Sequence, residues 1–419
     1  MEKVKIYQIG LGSFGRHGFE KFVDMASNFE DIEIEFAGIC DRDPEKLESA
    51  ERFAKHHGID IETFAKINDL YEEASGENVL IYDAGPSDIH PDNIYESLNR
   101  GFYHLTEKPS SMDREQHLSE KGMARNRDVT FAVDFIEREN PVVRKTLEII
   151  EDNSIDSIKV FRESTMGVEK ILNPVERIGV LGGDIMDKMT HEAYVLDFLE
   201  VSDGDYEIQL ESVNCEFFVP KDFQSEKLMG YRGGHTQHIE DAATGMTQAS
   251  FSHKDKEIKL HSSWLGLSNE ALKSAKKIKK KTGNSVLDKD YIESDGEAYR
   301  DDEARFFIIE GSRNLAGDML HNKLYDLDTG EEISTRDHIH DQLYRVLEKS
   351  IYEAVGIKKR GITDKETDVF MNGLFDVREA SIKDKEFTEF LNKSNDRLEA
   401  LRIRDGKILE VEERESLAG

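Results

Sequence analysis

A chain of 419 residues, 37% hydrophobic and 34% charged, is long enough to bury a large core and to divide into two or three structural units. Its formal net charge of -31 argues against nucleic acid or an anionic membrane as the main partner, because either would be repelled over most of the surface. No apolar run approaches the length of a membrane-spanning helix. The opening MEKVKIYQIGLG passes straight into a strand-like segment rather than an export signal, so the cytoplasm is the expected compartment. Cys40 and Cys215 form no CxxC pair, which speaks against a disulfide framework or a cysteine zinc site and predicts ordinary buried thiols.

From residue 4 to about 135, short apolar runs alternate with longer amphipathic stretches, the grammar of repeated βαβ units. Strands are predicted over 4–9, 32–39, 79–84, 102–105 and 129–135, with helices including 44–57 and 114–126 between them. Parallel strands need such crossovers, so the expectation is an α/β fold that opens with a Rossmann-type, doubly wound parallel sheet.

Beyond residue 136 a helix-like stretch over 184–199 is followed by alternating strand candidates near 208–218, 242–252, 258–264 and 304–310. That pattern predicts an α+β domain, spanning 136–385, with an open, mainly antiparallel sheet whose uncovered face would serve a homodimer or homotetramer. Helices over 341–355 and 365–381 would close it. The charge-dense extension over 386–419 reads as a helix or a loose tail.

The strongest local motif is Gly10-Leu11-Gly12-Ser13-Phe14-Gly15, placed after the first strand and opening a helix. Gly10 permits a tight turn, Gly12 lets the backbone approach a pyrophosphate, and Gly15 allows close helix packing. The helix N-terminus offers free amides to phosphates. Asp41 ends the second strand, 26 residues after Gly15, where a carboxylate can accept bonds from an adenosine ribose. Asp41 favours NAD, since a 2′-phosphate beside it would suffer like-charge repulsion, whereas Arg42 could pair with that phosphate and keeps NADP open.

Further along come Gly85-Pro86-Ser87 leading to His90, and then Glu107-Lys108-Pro109, with His90 and Glu107 separated by 17 residues. Together with the glycine motif these stretches resemble the Gfo/Idh/MocA family of glucose-fructose oxidoreductase and inositol dehydrogenase relatives. The run Gly182-Gly183-Asp184-Ile185-Met186-Asp187-Lys188-Met189-Thr190-His191 is similar to that family's glycine-rich entry to a helix carrying Asp and His four residues apart, and the segment from Phe135 to Pro141, with Arg138, resembles its exit from the nucleotide domain. Met189 and Glu192 depart from the family's usual glycine and aspartate.

The resemblance implies an NAD(P)-dependent oxidoreductase moving a hydride to or from the hydroxyl or carbonyl carbon of a sugar, cyclitol or related polyol. Cofactor contacts would come from Gly10 to Gly15, Asp41, Arg42, Gly85, Pro86, Ser87, His90, Glu107 and Lys108; substrate contacts from Lys108, Arg138, Asp187 and His191. Alcohol oxidation needs a base of near-neutral pKa beside the hydroxyl, a task that suits His191. Asp187, one α-helical turn earlier, would orient the substrate or tune the imidazole. Lys108, in a loop at the carboxyl end of a parallel strand, can stabilise charge developing on the reacting oxygen. A dinucleotide-sensing regulator without catalysis, and a lyase, epimerase or hydrolase using tightly bound NAD transiently, are the competing functions.

Other signals are weaker. His235 with His238, and His338 with His340, have metal-compatible spacings but no third ligand, so no metal is expected. The six lysines between Lys273 and Lys281 read as a solvated helix face or mobile loop, with a phosphate-bearing substrate or a neighbouring subunit's acidic face as the alternative partner. Trp264, Tyr194 and Arg162 fit core or surface roles as readily as a substrate cleft.

Overall fold

The computed structural model describes residues 2–29, 32–150, 155–164, 183–199, 201, 208–218, 243–264, 267–294, 297–338, 341–357, 369–382, 398–404 and 407–414. Their contacts divide the chain into two units, one made by residues up to 139 with 340–366, the other by 140–339 and the remainder.

The first unit is built on a parallel sheet of β1 (Glu2–Ile9), β2 (Ile32–Cys40), β3 (Glu62–Phe64), β4 (Val79–Asp83), β5 (Tyr103–Thr106) and β6 (Phe131–Val133), in the order β3-β2-β1-β4-β5-β6. That is the doubly wound arrangement with its strand order reversing between β1 and β4, the place where such sheets open a crevice at their carboxyl ends. The crossovers are α1 (Ser13–Asn28), α2 (Pro44–His56), α3 (Ile67–Glu73), α4 (His90–Asn99) and α5 (Arg114–Arg127). Asp43 caps α2 by accepting the Glu45 amide, and Pro44 follows at the first helical position, where its missing N–H costs nothing. β3 is absent from the sequence expectation because three edge residues, none buried, carry no periodic signal.

Phe19 and Phe22 of α1 pack on Phe36 of β2 in a core that also holds Val4 and Ile6. The same core takes Val346, Leu347 and Ile351 from a helix at Gln342–Ala354, here α9. Sequence alone assigns this helix to the second domain; in the structure it covers the first unit's sheet. An amphipathic stripe announces that it must be buried, not which sheet will bury it.

The second unit begins with α6 (Pro141–Ile150) and β7 (Ile155–Ser164). Its sheet runs β15-β14-β13-β12-β7-β10-β9-β8, formed by β8 (Gln209–Phe218), β9 (Ala243–His253), β10 (Lys256–Ser263), β12 (Glu297–Gly311), β13 (Leu315–Asp318), β14 (Lys323–Asp326) and β15 (Glu332–Ile333) with β7, while β11 (Leu287–Ser294) pairs with β12. Every pairing is antiparallel except that of β7 with β10. α7 (Thr190–Phe198) and α10 (Val369–Ile382) belong to this unit.

One face of the sheet is partly covered by α8 (Asn269–Thr282), whose Ala271, Ala275 and Ile278 pack on Phe161, Phe306, Ala316 and Tyr325. The helix starts at Ser268, whose hydroxyl accepts the Ala271 amide, and stops at Gly283 with φ +77°. The C-terminal extension is neither helix nor loose tail where it is described: Leu398–Arg404 (β16) and Lys407–Arg414 (β17) form an antiparallel hairpin. The alternation in Leu409-Glu-Val411-Glu carries a strand period that charge density masks. Cys40 is buried and its thiol is pushed up to about 12 by burial, whereas Cys215 is only half-buried.

Replacing Ile351 by Ala is expected to lower the unfolding free energy by about 2–5 kcal/mol, as for other fully buried aliphatic truncations. A urea midpoint equal to that of the parent chain would show that α9 does not share the first unit's core.

Candidate active site

The functional loops of the first unit leave the same ends of parallel strands. β1 finishes at Ile9 in register with Cys40 of β2 and Asp83 of β4, and Asp83 pairs with Thr106 of β5. The chain continuations at Gly10, Asp41, Ala84 and Glu107 therefore lie along one edge. They are stitched together: Gly10 N donates to Cys40 O, Ala84 N to Ile9 O and Glu107 N to Asp83 O, each at 2.8 Å.

The glycines have separable duties. Gly10 has φ +90°, and a Cβ there would lie 2.5 Å from Ala84 O. A Cβ on Gly15 would lie 2.4 Å from Gly10 O. Gly12 is different. Nothing lies within 4 Å of the Cβ it lacks, so glycine at this position answers no crowding inside the protein and leaves the backbone open to a group from outside. Gly12 is also the N-cap of the 16-residue α1, which has no side-chain cap and no acidic residue in its first turn. Free amides at an uncapped helix start, beside open space, suit a pyrophosphate. Leu11 is buried, Ser13 is exposed and Phe14 is exposed despite its size.

Asp41 sits at the end of β2 with its carboxylate largely enclosed. It accepts the Leu11 amide on Oδ2 at 2.7 Å and the Asp43 amide on Oδ1 at 2.9 Å, which ties the glycine loop to the β2 end. A carboxylate offers about four acceptor directions, so these two bonds leave room for a ribose. Arg42 is exposed beside it.

Two residues expected at the cofactor lie within the domain's own fabric. His90 is fully buried, with Nδ1 2.9 Å from Pro109 O and Nε2 3.0 Å from Gly85 O. The Asp83 carboxylate lies 4.0 Å from Nε2. His90 thus clamps the loop that carries Gly85 to the loop that carries Lys108. Glu107 is half-buried and accepts the Tyr82 hydroxyl at 2.8 Å. Its carboxyl is raised by desolvation, opposed by the Tyr82 bond and the Lys108 charge.

Asp83 is fully buried and raised by burial; it holds Gly85 N at 2.9 Å and Asn93 Nδ2 at 2.8 Å. Pro86 is exposed, and Ser87 and Lys108 are half-buried. Arg138 is buried in a 3-10 turn at Ile136–Glu139, where its charge opposes the rise that burial and Glu107 impose on Asp134.

Sequence reasoning missed Gln8, Gly18, Tyr82 and Asp134. A Cβ on Gly18 would lie 2.4 Å from the Tyr82 ring, so glycine lets α1 pack against Tyr82, whose hydroxyl donates to Glu107. The legible signals were a fourth glycine three residues after Gly15 and a glutamine inside an apolar strand.

In the second unit Asp184 precedes a π-turn at Ile185–Met189 that runs into α7. Asp187 lies in the turn and His191 in the helix. Uniform α-helical phase, expected from the spacing, is therefore broken between them. Turns of this kind are rare and concentrate at functional sites. This one is pinned from the sheet below. The fully buried Asp184 carboxylate accepts Thr247 Oγ1 at 2.9 Å and Ser262 Oγ at 2.7 Å. Lys188 Nζ donates to Ser164 Oγ at 2.5 Å and Ser263 O at 2.7 Å. Nearby, burial pushes the Glu163 carboxyl up to about 7 although it accepts both the amide and hydroxyl of Ser268.

Asp187 is half-buried and the His191 side retains 9% exposure. Met189 and Glu192 are buried, as are Trp264 and Tyr194, and Arg162 is half-buried. The six lysines of α8 are exposed, with Lys277 on Glu310 at 2.7 Å and Lys281 on Leu327 O at 2.8 Å, and the positive charges of Lys279, Lys280 and Lys281 in the last turn are favourable at a helix C-terminus. Among the described residues no group of three His, Cys, Asp or Glu side chains could hold a metal. His338 sits 2.9 Å from Glu148, while His235, His238, His340 and Gly182 lie outside the described residues.

Residues 4–135 match the model of an oxidoreductase family with an NAD-binding Rossmann fold. Over that domain the chain is similar to the Gfo/Idh/MocA oxidoreductases. No curated protein sequence matches. Among solved structures, UDP-N-acetylglucosamine 3-dehydrogenase GnnA from Acidithiobacillus ferrooxidans is similar at 16% identity and TM-score 0.61, covering 93% of this chain and 100% of that one. Levoglucosan dehydrogenase in complex with NADH is similar at 12% identity and TM-score 0.62, over 91% and 97% of the two chains. An oxidoreductase from Agrobacterium radiobacter in complex with NAD+, L-tartaric acid and magnesium follows at 14% identity and TM-score 0.56, over 90% and 94%. These likenesses establish the fold over nearly the whole chain.

The glycine geometry predicts that Gly10→Ala lowers stability by about 1–3 kcal/mol, the cost of a strained left-handed residue, whereas Gly12→Ala leaves the melting temperature in place and weakens NADH binding. Calorimetric melting and NADH titration of both variants check this; equal stability losses would show that the space at Gly12 is not reserved for a ligand.

Proposed function

We propose that the protein is a dehydrogenase or reductase that interconverts a hydroxyl and a carbonyl on a sugar, cyclitol or related polyol, with His191 as acid/base, Lys108 beside the reacting oxygen and Asp187 orienting substrate or imidazole. The observation that carries the reading is the joining of the glycine loop, Asp41, the Gly85 turn and Lys108 along one edge of the parallel sheet, at its topological switch point. NAD, when bound, supplies the hydride acceptor or donor. The protein's own groups do the rest. A base takes the hydroxyl proton as the carbonyl forms, and a half-buried ammonium steadies negative charge on that oxygen more strongly than water would. Arg138 completes the proposed substrate contacts.

The anchored Asp41 carboxylate supports NAD over NADP, because two backbone amides hold it where a 2′-phosphate would meet a like charge. The solved relatives described with NADH and with a sugar-nucleotide substrate name support the substrate class. The reading extends to a cytoplasmic homo-oligomer formed through the second unit's sheet.

Incubation with NAD or NADP and a panel of UDP-N-acetylglucosamine, levoglucosan, glucose and myo-inositol, followed by nicotinamide absorbance, tests the reaction. With the responding substrate, Lys108→Met and His191→Asn are each expected to cut kcat by about 10²–10⁴-fold, and His191→Asn is expected to keep NADH affinity within about twofold. Undiminished turnover in either variant would remove that residue from the chemistry.

A further inference from the structure

Gln8 lies in β1 two residues before the glycine loop, fully buried among apolar neighbours. Its amide nitrogen donates to Gly10 O at 2.8 Å and to Gly15 O at 2.6 Å. Those carbonyls belong to the first and last glycines of the loop, whose backbones already touch, as the 2.4 Å approach of a Gly15 Cβ to Gly10 O shows. The amide oxygen of Gln8 has no hydrogen-bond partner. A side chain that leaves a buried acceptor unmet is poorly explained by stability alone, since an apolar residue of similar volume avoids that penalty. The reversed amide would turn an oxygen toward two carbonyls, so the donor orientation is the only one the geometry admits.

We infer that Gln8 is a positioning residue for the phosphate cradle: by drawing the two ends of the loop together from beneath, it fixes the outward course of Leu11 to Phe14 around the open space at Gly12. This rests on the dinucleotide reading of that loop. The loop must hold its amides in place before the ligand arrives, because ordering them on binding would be subtracted from affinity. Asp41 secures the loop laterally through Leu11 N; Gln8 secures it from the strand side.

Gln8→Leu removes the donor at nearly constant size, and Gln8→Met keeps the side-chain length. Binding of NADH and ADP is measured by calorimetric titration and binding of adenosine, which has no pyrophosphate, by ligand-observed NMR. In either folded variant the Kd for NADH and for ADP is expected to rise about 5- to 30-fold, the equivalent of one to two lost hydrogen bonds, with adenosine affinity and the melting temperature of the parent retained. Unchanged ADP affinity overturns the inference, as does a parallel loss for adenosine, which would assign Gln8 to the fold at large. Failure of both variants to fold has the same meaning. A parent chain that binds neither NADH nor ADP would instead sink the dinucleotide reading and take the inference with it.

Discussion

The parallel pairing of β1 with β2 on one side and β4 on the other is the constraint on which the first unit depends. It sets Ile9, Cys40 and Asp83 side by side, and each strand must then turn at the same edge. Three backbone bonds of 2.8 Å close that edge. Because consecutive parallel strands are joined by helices on the sheet faces, the loops leaving the carboxyl ends share no space with the crossovers. Chemistry collects there for a geometric reason before any residue identity is considered.

Much of this was legible. The glycine spacing, the strand before it and the carboxylate that follows β2 carry local signals that one sequence displays. What stayed hidden depends on partners remote in the chain. Tyr82 and Asp134 are ordinary letters until β4, β5 and β6 stand adjacent. The helix Gln342–Ala354 shows its apolar stripe but not the sheet it covers. The π-turn at Ile185–Met189 has no signature of its own: the i, i+4 spacing of Asp187 and His191 reads as regular helix, and the bonds of Asp184 and Lys188 to strands β7, β9 and β10 help hold the wider turn.

The division between lining a site and supporting it was also invisible from spacing. His90 and Glu107 belong to a motif that resemblance associates with the cofactor, yet the His90 ring is spent on Gly85 O and Pro109 O, and Glu107 holds Tyr82. Both residues tie neighbouring segments together. Supporting hydrogen bonds of this kind set the position of a catalytic group to fractions of an ångström, a tolerance on which rate depends steeply.

The charge beneath the Lys108 loop follows the same logic. Asp83, Glu107 and Asp134 are all raised, burial or desolvation being the main cause in each, and the Glu107 charge adds to the rise at Asp134. Opposing cations are few: His90 acts on Asp83 and Glu107, Lys108 on Glu107, and Arg138 on Asp134. Three carboxyls gathered in low dielectric are tolerable only while some hold a proton or face a cation. A cationic side chain at this position is therefore favoured by the interior before any substrate oxygen approaches it, and an ammonium already in place spends no reorganisation when charge develops on that oxygen. Architecture and proposed chemistry thus ask the same thing of Lys108: that it stay where the loop puts it.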